Sequence, residues 1–290
     1  MISDHYSPWL PEQGHAPYAW SVLGAVAQAT RQVELMTYVT APTMRYHPAV
    51  VAQKAATMGL LSSDRFTLGL GAGENLNEHV LGTGWPPLNV RHEMLFEAVE
   101  IIGELFEGGH VDYGGEHYRV DSAKLWDLPD ARIPLGVAVS GQQSVRRFAA
   151  AADALISTEP DGGLCRSWDA ASGRSDSRKI GQLPVCWDTN REAAVQRARE
   201  QFRWFAGGWL VNAELPEPKN FEAATQFVTE QDVAANIACG PEAGPILDAA
   251  SAFREAGFTD LALVQIGHDE HQSGFFDFAR EELLPTLRNA

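Results

Sequence analysis

Short apolar segments alternate along the chain with longer segments of helical periodicity, and this alternation limits the fold more than any other feature. Segments such as Phe66–Leu70 have the length and β-branched or apolar content of buried strands. Segments such as His92–Phe106 repeat apolar residues every three or four positions. Strands separated by helices in this way form parallel sheets, so the sequence predicts an α/β fold. The predicted strands are Val33–Val39, Phe66–Leu70, Leu135–Val139, Ala154–Ser157, Leu183–Trp187 and Leu261–Ile266, and the predicted helices are Tyr18–Ala29, Pro48–Leu61, His92–Phe106, Ser144–Ala152, Arg191–Trp204, Gly244–Ala256 and Phe275–Leu287.

Two segments interrupt the alternation. Residues 108–120 contain two short β-type runs on either side of Gly114 and Gly115, which predicts an inserted β-hairpin. A second insertion is expected near 205–235, where Pro and Glu residues cluster between 214 and 219. The total of 290 residues is enough for a single barrel with these additions.

The charge of the chain argues against two classes of partner. There are 22 basic and 38 acidic residues, a formal net charge of −16, and such a surface repels nucleic-acid phosphates and anionic lipids. The three cysteines, Cys165, Cys186 and Cys239, form no CxxC pair, which disfavours a disulfide framework. The first residues lack the features of a signal peptide. We therefore expect a cytoplasmic protein that binds neither nucleic acid nor membranes.

Two motifs carry candidate catalytic side chains. Ser3-Asp4-His5 places a carboxylate beside an imidazole that can move a proton near neutral pH, although helix capping by Asp4 is the simpler interpretation. The segment from Gly69 to Glu78 follows a predicted strand with three glycines and then Glu74. Glycines allow a ligand to approach the backbone closely. The GxGxG spacing does not fit a dinucleotide fingerprint, and we expect the chain to stay irregular from there until about His92.

Two further motifs are weaker. One is the run Ser140-Gly141-Gln142-Gln143-Ser144, which follows a predicted strand at the start of a helix. The free backbone N–H groups there could bind a phosphate, or side chains of the run could simply cap the helix. Gly267-His268-Asp269-Glu270-His271 has the residue types of a metal site, but the neighbouring glycines predict a loop, and we predict no metal ligands there. A metal-dependent barrel hydrolase using His268, Asp269 and His271 remains an alternative of a different class.

These motifs together resemble the luciferase-like flavin and deazaflavin enzymes, in particular the branch of the deazaflavin (coenzyme F420)-dependent glucose-6-phosphate dehydrogenases. The resemblance also rests on Pro8-Trp9, on residues 14–17 and on the run 43–50, Thr-Met-Arg-Tyr-His-Pro-Ala-Val. It covers most of the chain. It implies a single-domain (β/α)8 TIM barrel over 1–290 with the deazaflavin at its C-terminal mouth, and it suggests a homodimer.

The resemblance also implies roles for individual residues. His5 corresponds to the active-site histidine, Trp9 to an aromatic residue beside the reacting carbon, and Glu74 to a carboxylate that exchanges a proton. A non-proline cis peptide is implied between Tyr38 and Val39. The positions implied to contact the cofactor are Asp4, Tyr38, Val39, Ala41, Ala72, Gly73, Asn77, Ser140, Gly141, Gln143 and Ser144.

The substrate side departs from that branch. Where its sugar-phosphate enzymes use two lysines and an arginine, this chain has Asp161, Ala234 and the step Ser273-Gly274, whereas Thr158 is retained. An aspartate would repel a phosphate dianion. We therefore expect an F420-dependent oxidoreductase that exchanges a hydride between the deazaflavin C5 and a small non-phosphorylated alcohol, carbonyl compound or enone, and not glucose 6-phosphate.

Two alternatives stay within the superfamily. One is an FMN-dependent luciferase-like monooxygenase. The other is a truncated, inactive relative, because Ser3-Asp4-His5 falls where the resemblance places the end of the second strand. The barrel is accordingly expected to lack its first strand and helix, which would leave strand edges unpaired.

Overall fold

The computed structural model describes residues 1–289 and divides into two compact units. The first unit consists of Met1–Tyr6, Ala16–Ser157 and Gly163–Lys179. The second consists of Ser7–His15, Thr158–Gly162 and the chain from 180 onward. The single domain expected over 1–290 stays a prediction.

The first unit is built on a parallel sheet. The strands of this unit are β1 (Leu35–Met36), β2 (Phe66–Leu70), β3 (Val111–Gly114), β4 (Arg119–Ala123), β5 (Leu135–Ala138) and β6 (Ala154–Ser157). The four strands β1, β2, β5 and β6 pair in parallel in that order. All five residues of β2 are buried, as expected for a strand covered on both faces. Near the start of the chain, Ile2 makes an isolated parallel bridge with Thr37.

Helices cross between these strands. They are α1 (Ala19–Ala29), α2 (Pro48–Ser62), α3 (Asn75–Glu78), α4 (Leu88–Phe106), α5 (Gln142–Phe148) and α6 (Gly162–Ser172). Helix α2 begins at Pro48, whose missing N–H costs nothing at the first helical position. The ring of His47 caps this helix by accepting a hydrogen bond from the N–H of Ala49 at 3.2 Å. Helix α4 buries Leu95, Val99 and Ile102 on one face and packs against α2.

An antiparallel hairpin formed by β3 and β4 occupies the segment in which the sequence predicts one. Gly114 pairs with Arg119, and the register shifts between Val111 and Tyr113. The hydroxyl of Tyr113 donates a hydrogen bond to Glu100 of α4 at 2.8 Å. The hairpin is therefore attached to α4 by a side chain as well as by the chain itself.

The second unit has three parallel strands and seven α-helices within the described chain. Strand β7 (Arg178–Cys186) pairs with both β8 (Ala238–Cys239) and β9 (Asp260–Gln265). Leu183 aligns with Leu263, and Cys186 aligns with Cys239. The helices are α7 (Arg191–Phe202), α8 (Trp209–Asn212), α9 (Pro218–Ala224), α10 (Glu230–Asn236), α11 (Gly244–Ala256), α12 (Asp269–Phe278) and α13 (Leu284–Asn289).

Two segments that the sequence predicts to be irregular form helices. Helix α3 begins directly after Glu74, and α4 begins at Leu88, so the chain does not stay irregular until His92. Helix α12 begins at Asp269 in the segment predicted to be a loop. There Gly267 has φ +143°, which lets the chain turn into the helix. The N–H of His268 then donates to His271 Nδ1 at 3.2 Å and caps the first turn.

Candidate functional site

The glycines at the end of β2 allow close packing within the protein itself. A Cβ on Gly69 would overlap the carbonyl oxygen of Thr37, and a Cβ on Gly71 would lie 2.6 Å from Val39 Cγ2. The N–H of Thr40 donates to the carbonyl of Gly69 at 2.8 Å. These two glycines are therefore required so that the end of β2 can pack against residues 37–40, and ligand approach is not needed to explain them.

This packing brings the two predicted proton-exchanging side chains together. His5 Nε2 lies 3.2 Å from Glu74 Oε2, and both side chains are largely buried, with 17% and 16% of their surface exposed. The two atoms form an ion pair when His5 is protonated. A carboxylate and an imidazole at this distance can exchange a proton with each other or with a substrate placed against them.

Asn77 fixes the position of Glu74. Its Nδ2 donates to Glu74 Oε2 at 2.8 Å, and its Oδ1 accepts the N–H of Tyr6, also at 2.8 Å. The second bond orients the amide, because only the NH2 group is then left to face the carboxylate. Since Asn77 is 3% exposed, this link between the chain next to His5 and the start of α3 is shielded from water.

Asp4 precedes His5 in the sequence, but its carboxylate does not pair with the His5 imidazole. Its side chain is buried, and its Oδ2 accepts hydrogen bonds from Trp20 Nε1 and Thr40 Oγ1, each at 3.0 Å. The guanidinium of Arg45 lies 3.8 Å from Oδ1. The carboxylate beside His5 therefore belongs to Glu74. The Asp4 carboxylate instead binds Trp20, Thr40 and Arg45.

Sequence reasoning did not assign a role to Arg45 and Glu78. Arg45 Nε lies 3.0 Å from Glu78 Oε1, and Arg45 Nη2 donates to the carbonyl of Asp4 at 2.6 Å. Burial raises the pKa of Glu78, and the ion pair with Arg45 only partly offsets this effect. Arg45 lies in the motif 43–50 and Glu78 lies in the motif 69–78. A search for opposite charges between those two motifs would have found the pair.

The peptide bond between Tyr38 and Val39 is cis, as the resemblance implies. Ser3 Oγ donates to the carbonyl of Tyr38 at 2.9 Å, and burial raises the pKa of the Tyr38 hydroxyl. The hydrogen bond from Ser3 therefore connects the Ser3-Asp4-His5 motif to the residues that follow β1 within the first unit.

Gly73 ends the glycine run with φ +85°. A Cβ there would lie 3.2 Å from Ala41 Cβ and 3.5 Å from both Thr43 Oγ1 and Trp85. The carbonyl of Gly73 accepts a hydrogen bond from buried Arg91 at 3.3 Å. The missing side chain thus leaves a small cradle lined by Ala41, Thr43 and Trp85.

The segment 140–144 is positioned at the start of α5. Gly141 is the N-cap residue, and Ser144 Oγ donates to its carbonyl at 2.8 Å. The Ser144 hydroxyl is therefore used within the turn. The structure does not by itself assign a ligand to Ser140, Gly141 or Gln143.

The remaining predicted site residues belong to the second unit. Trp9 stacks on Trp204 with ring centroids 4.1 Å apart and meets the edge of Phe221 at 5.1 Å. Thr158 and Asp161 are exposed, and the N–H of Asp161 donates to the carbonyl of Glu159 at 2.9 Å. Trp204 is therefore the direct stacking partner of Trp9.

The metal interpretation of residues 267–271 gains no support. His268 Nε2 lies 3.0 Å from the amide nitrogen of Gln201, and the rings of His268 and His271 are 6.5 Å apart. Within residues 1–289, the group whose ligand atoms converge consists of Glu93, Glu116 and His117. The described chain also contains no helix long and apolar enough to cross a membrane.

Comparisons with known proteins agree with the resemblance. The family model of the luciferase-like monooxygenases matches residues 1–260. An F420-dependent glucose-6-phosphate dehydrogenase of Mycolicibacterium gilvum (strain PYR-GCK) is 31% identical, covering 99% of this chain and 88% of the relative. The enzyme of the same name from Nocardia farcinica (strain IFM 10152) is 32% identical with the same coverage.

Solved structures give the same result. An F420-dependent secondary alcohol dehydrogenase in complex with an F420-acetone adduct superimposes with a TM-score of 0.86 at 26% identity, covering 96% of this chain and 87% of that one. A coenzyme F420 dependent tetrahydromethanopterin reductase from Methanopyrus kandleri has a TM-score of 0.76 at 18% identity, covering 99% and 90%, and supports the fold alone. The predicted α/β fold of the luciferase-like TIM-barrel type is confirmed. The chain therefore belongs to the luciferase-like monooxygenase family and, within it, to the F420-dependent oxidoreductases.

Proposed function

We propose that this enzyme exchanges a hydride between coenzyme F420 and a small non-phosphorylated substrate, either an alcohol and its carbonyl compound or an enone. The observation that carries the proposal is the 3.2 Å contact between His5 Nε2 and Glu74 Oε2, held by Asn77. The relatives named for F420 support the choice of cofactor. The relative solved with an F420-acetone adduct supports a small alcohol or ketone as substrate.

The described residues fit a planar ring beside His5 and Glu74. Ala41 and Thr43 give the cradle at Gly73 two small walls beside the flat ring of Trp85, and Thr43 Oγ1 is buried there without a hydrogen-bond partner in the described chain. A buried hydroxyl without a partner costs free energy, and a polar ring substituent would satisfy it. We assign cofactor contacts to Tyr38, Val39, Ala41, Ala72, Gly73, Asn77, Ser140, Gly141, Gln143 and Ser144, with Asp4 supporting them from behind.

When bound, F420 supplies hydride exchange at C5 of its deazaflavin ring. In alcohol oxidation, the His5 imidazole takes or orients the hydroxyl proton of the substrate. Glu74 holds the second exchanging proton at its carboxylate, where the Asn77 amide fixes one oxygen. In carbonyl or enone reduction each side chain reverses its own transfer, so that His5 returns a proton to the substrate and Glu74 takes one up.

The substrate class follows from charge and from the aromatic residues of the second unit. Asp161 and Ala234 occupy positions where the resemblance implies phosphate-binding cations, and the anion at Asp161 opposes a phosphate. The ring of Trp9 stacks on the buried Trp204 and is itself only partly buried, so its remaining apolar surface suits a small apolar substrate. We place Trp9 and Thr158 on the substrate side.

The proposal is tested by offering the purified enzyme each cofactor with each substrate class. Oxidised F420 is mixed with a small secondary alcohol or with glucose 6-phosphate, and reduced F420 with ketones or enones, while the visible absorbance of F420 is followed. We expect turnover with the secondary alcohol, ketone or enone, little with glucose 6-phosphate, and a loss of at least about a hundredfold in His5→Ala. The exposed His110 provides the control, and His110→Ala is expected to keep full activity.

Three results would contradict the proposal. Turnover of glucose 6-phosphate above that of every uncharged substrate would refute the substrate class. Oxygen consumption with reduced FMN but none of the F420 reactions would favour the monooxygenase alternative. Binding of neither cofactor would favour the inactive relative. A homodimer and a cytoplasmic location remain part of the proposal.

A further inference from the structure

A second cluster of metal-binding side chains lies on the hairpin of the first unit. Glu93 belongs to α4, whereas Glu116 and His117 belong to the turn between β3 and β4. One ligand atom from each of the three residues lies within 4.8 Å of the others. No step of the proposed hydride exchange uses these side chains.

Glu97 fixes the turn on which two of these residues stand. Its carboxylate accepts the N–H groups of Glu116, His117 and Tyr118 at 2.9, 3.0 and 3.1 Å. Gly115 makes this approach possible, because a Cβ at that position would overlap the same carboxylate. With both of its oxygens used in this way, Glu97 acts as a support for the cluster and is not a metal ligand.

Glu93 lies one helical turn before Glu97 and therefore faces the same hairpin turn. Its Oε2 is 3.7 Å from His117 Nε2, too far for a hydrogen bond. His117 Nε2 is inaccessible to solvent and has no hydrogen-bond partner in the described chain. An imidazole nitrogen in this state costs free energy that a bound cation would recover.

The donor set selects the type of ion. One imidazole and two carboxylates suit a divalent first-row metal such as Zn²⁺ better than Mg²⁺ or Ca²⁺, which prefer oxygen ligands alone. Tetrahedral Zn²⁺ with ligands at ~2.0–2.2 Å has ligand atoms about 3.3–3.6 Å apart. The three side chains reach that spacing by shifts of roughly an ångström, and the exposed Glu116 can move freely enough to supply much of it.

We propose that Glu93, Glu116 and His117 form a binding site for a divalent transition-metal ion, with Zn²⁺ as the representative ion. The two carboxylates balance the charge of the ion, and the supported turn reduces the conformational entropy that binding must overcome. The bound ion would tie the hairpin to α4 independently of the redox site.

The test is calorimetric titration of ZnCl₂ into the full chain after removal of metals with a chelator. We expect one equivalent to bind more tightly than any other Zn²⁺, and thermal unfolding to shift to higher temperature. His117→Gln and Glu116→Gln should each weaken this equivalent by at least about tenfold. Glu116 is exposed, so its variant is expected to fold even where His117→Gln loses stability.

His110→Gln is the matched control. His110 is an exposed histidine directly before β3 of the same hairpin, and it is not part of the cluster. It should retain the site in full. Equal Zn²⁺ affinity in the wild type and in Glu116→Gln and His117→Gln would overturn the proposal. So would a weakening in His110→Gln as large as in the two cluster variants, or the absence of any saturable equivalent in the wild type.

Discussion

The two units of this enzyme hold their proposed site residues by different means. In the first unit, His5 and Glu74 are positioned by hydrogen bonds and buried ion pairs that involve Asn77, Arg45 and Glu78. In the second unit, Trp9 is positioned by ring packing on Trp204 and Phe221. Charged networks fail when one partner is removed, whereas aromatic packing loses free energy in proportion to the surface removed. The comparison predicts unequal responses to mutation.

The largest effect on stability is expected for Arg45→Met. The variant leaves the buried carboxylates of Glu78 and Asp4 without their cation, which should cost about 3–5 kcal/mol in the free energy of unfolding. The measurement is denaturant unfolding of wild type and variant. Arg132→Met removes an exposed ion pair with Asp153 and should cost under about 1 kcal/mol. Equal costs for the two variants would show that the buried network has no special weight.

Asn77→Ala is expected to lower kcat by roughly ten- to hundredfold, because Glu74 then loses the group that fixes its carboxylate. KM for F420 should change less than kcat. Steady-state kinetics over a range of F420 concentrations at saturating alcohol measures both, and the unfolding temperature recorded on the same sample separates loss of positioning from loss of folding. An unchanged kcat would mean that Glu74 is held without Asn77.

In the second unit, the stacked rings should make a smaller and more local contribution to the free energy of unfolding. A double-mutant cycle on Trp9→Leu and Trp204→Leu is expected to give a coupling free energy of about 0.5–1.5 kcal/mol. Unfolding of the four proteins in denaturant measures it. A coupling energy near zero would indicate that the rings pack independently, and one approaching the cost of Arg45→Met would remove the contrast between the units.

The smallest effect is expected at Asp188, a polar exception in the second unit. Partial burial by itself raises the pKa of this carboxyl, but hydrogen bonds from Arg197 at 2.8 Å and from the N–H of Asn190 together lower it by more, so the pKa lies below its ordinary value of 3.8. A carboxyl with a depressed pKa stabilises the folded state above its unfolded pKa, and this contribution is lost as the pH falls through the folded pKa.

Asp188→Asn should therefore destabilise the protein by up to about 1 kcal/mol at pH 7 and by progressively less below pH 3.8. Unfolding curves of both proteins between pH 2 and pH 7 give the difference. A difference that is constant over this range would contradict the assigned direction of the pKa shift.

Much of the fold was accessible from the sequence. Phe66–Leu70, Ala154–Ser157 and Gly244–Ala256 form elements with the predicted bounds, because each has a strong periodic pattern with a clear turn signal beside it. The sequence pattern predicts strand β7 only from Leu183, whereas the strand begins at Arg178. Its charged start and Pro184 obscure a strand that tertiary pairing nevertheless imposes.

The site was less accessible. His5 and Glu74 are 69 positions apart in the chain, and their contact was expected only through the resemblance. Helix α3 was missed because four residues with two asparagines carry little helical signal of their own. The support of Asp4 by Trp20 and Thr40 depends on tertiary packing that no local pattern encodes.

The most direct test of the account is kcat/KM for F420 reduction by the best small secondary alcohol in the wild type and in Glu74→Gln. The amide keeps the size of the side chain and removes its ability to exchange a proton. We expect a loss of at least about a hundredfold, with F420 still bound by the variant. A variant that retains wild-type kcat/KM would contradict the assignment of Glu74 and His5 as the pair that performs proton exchange.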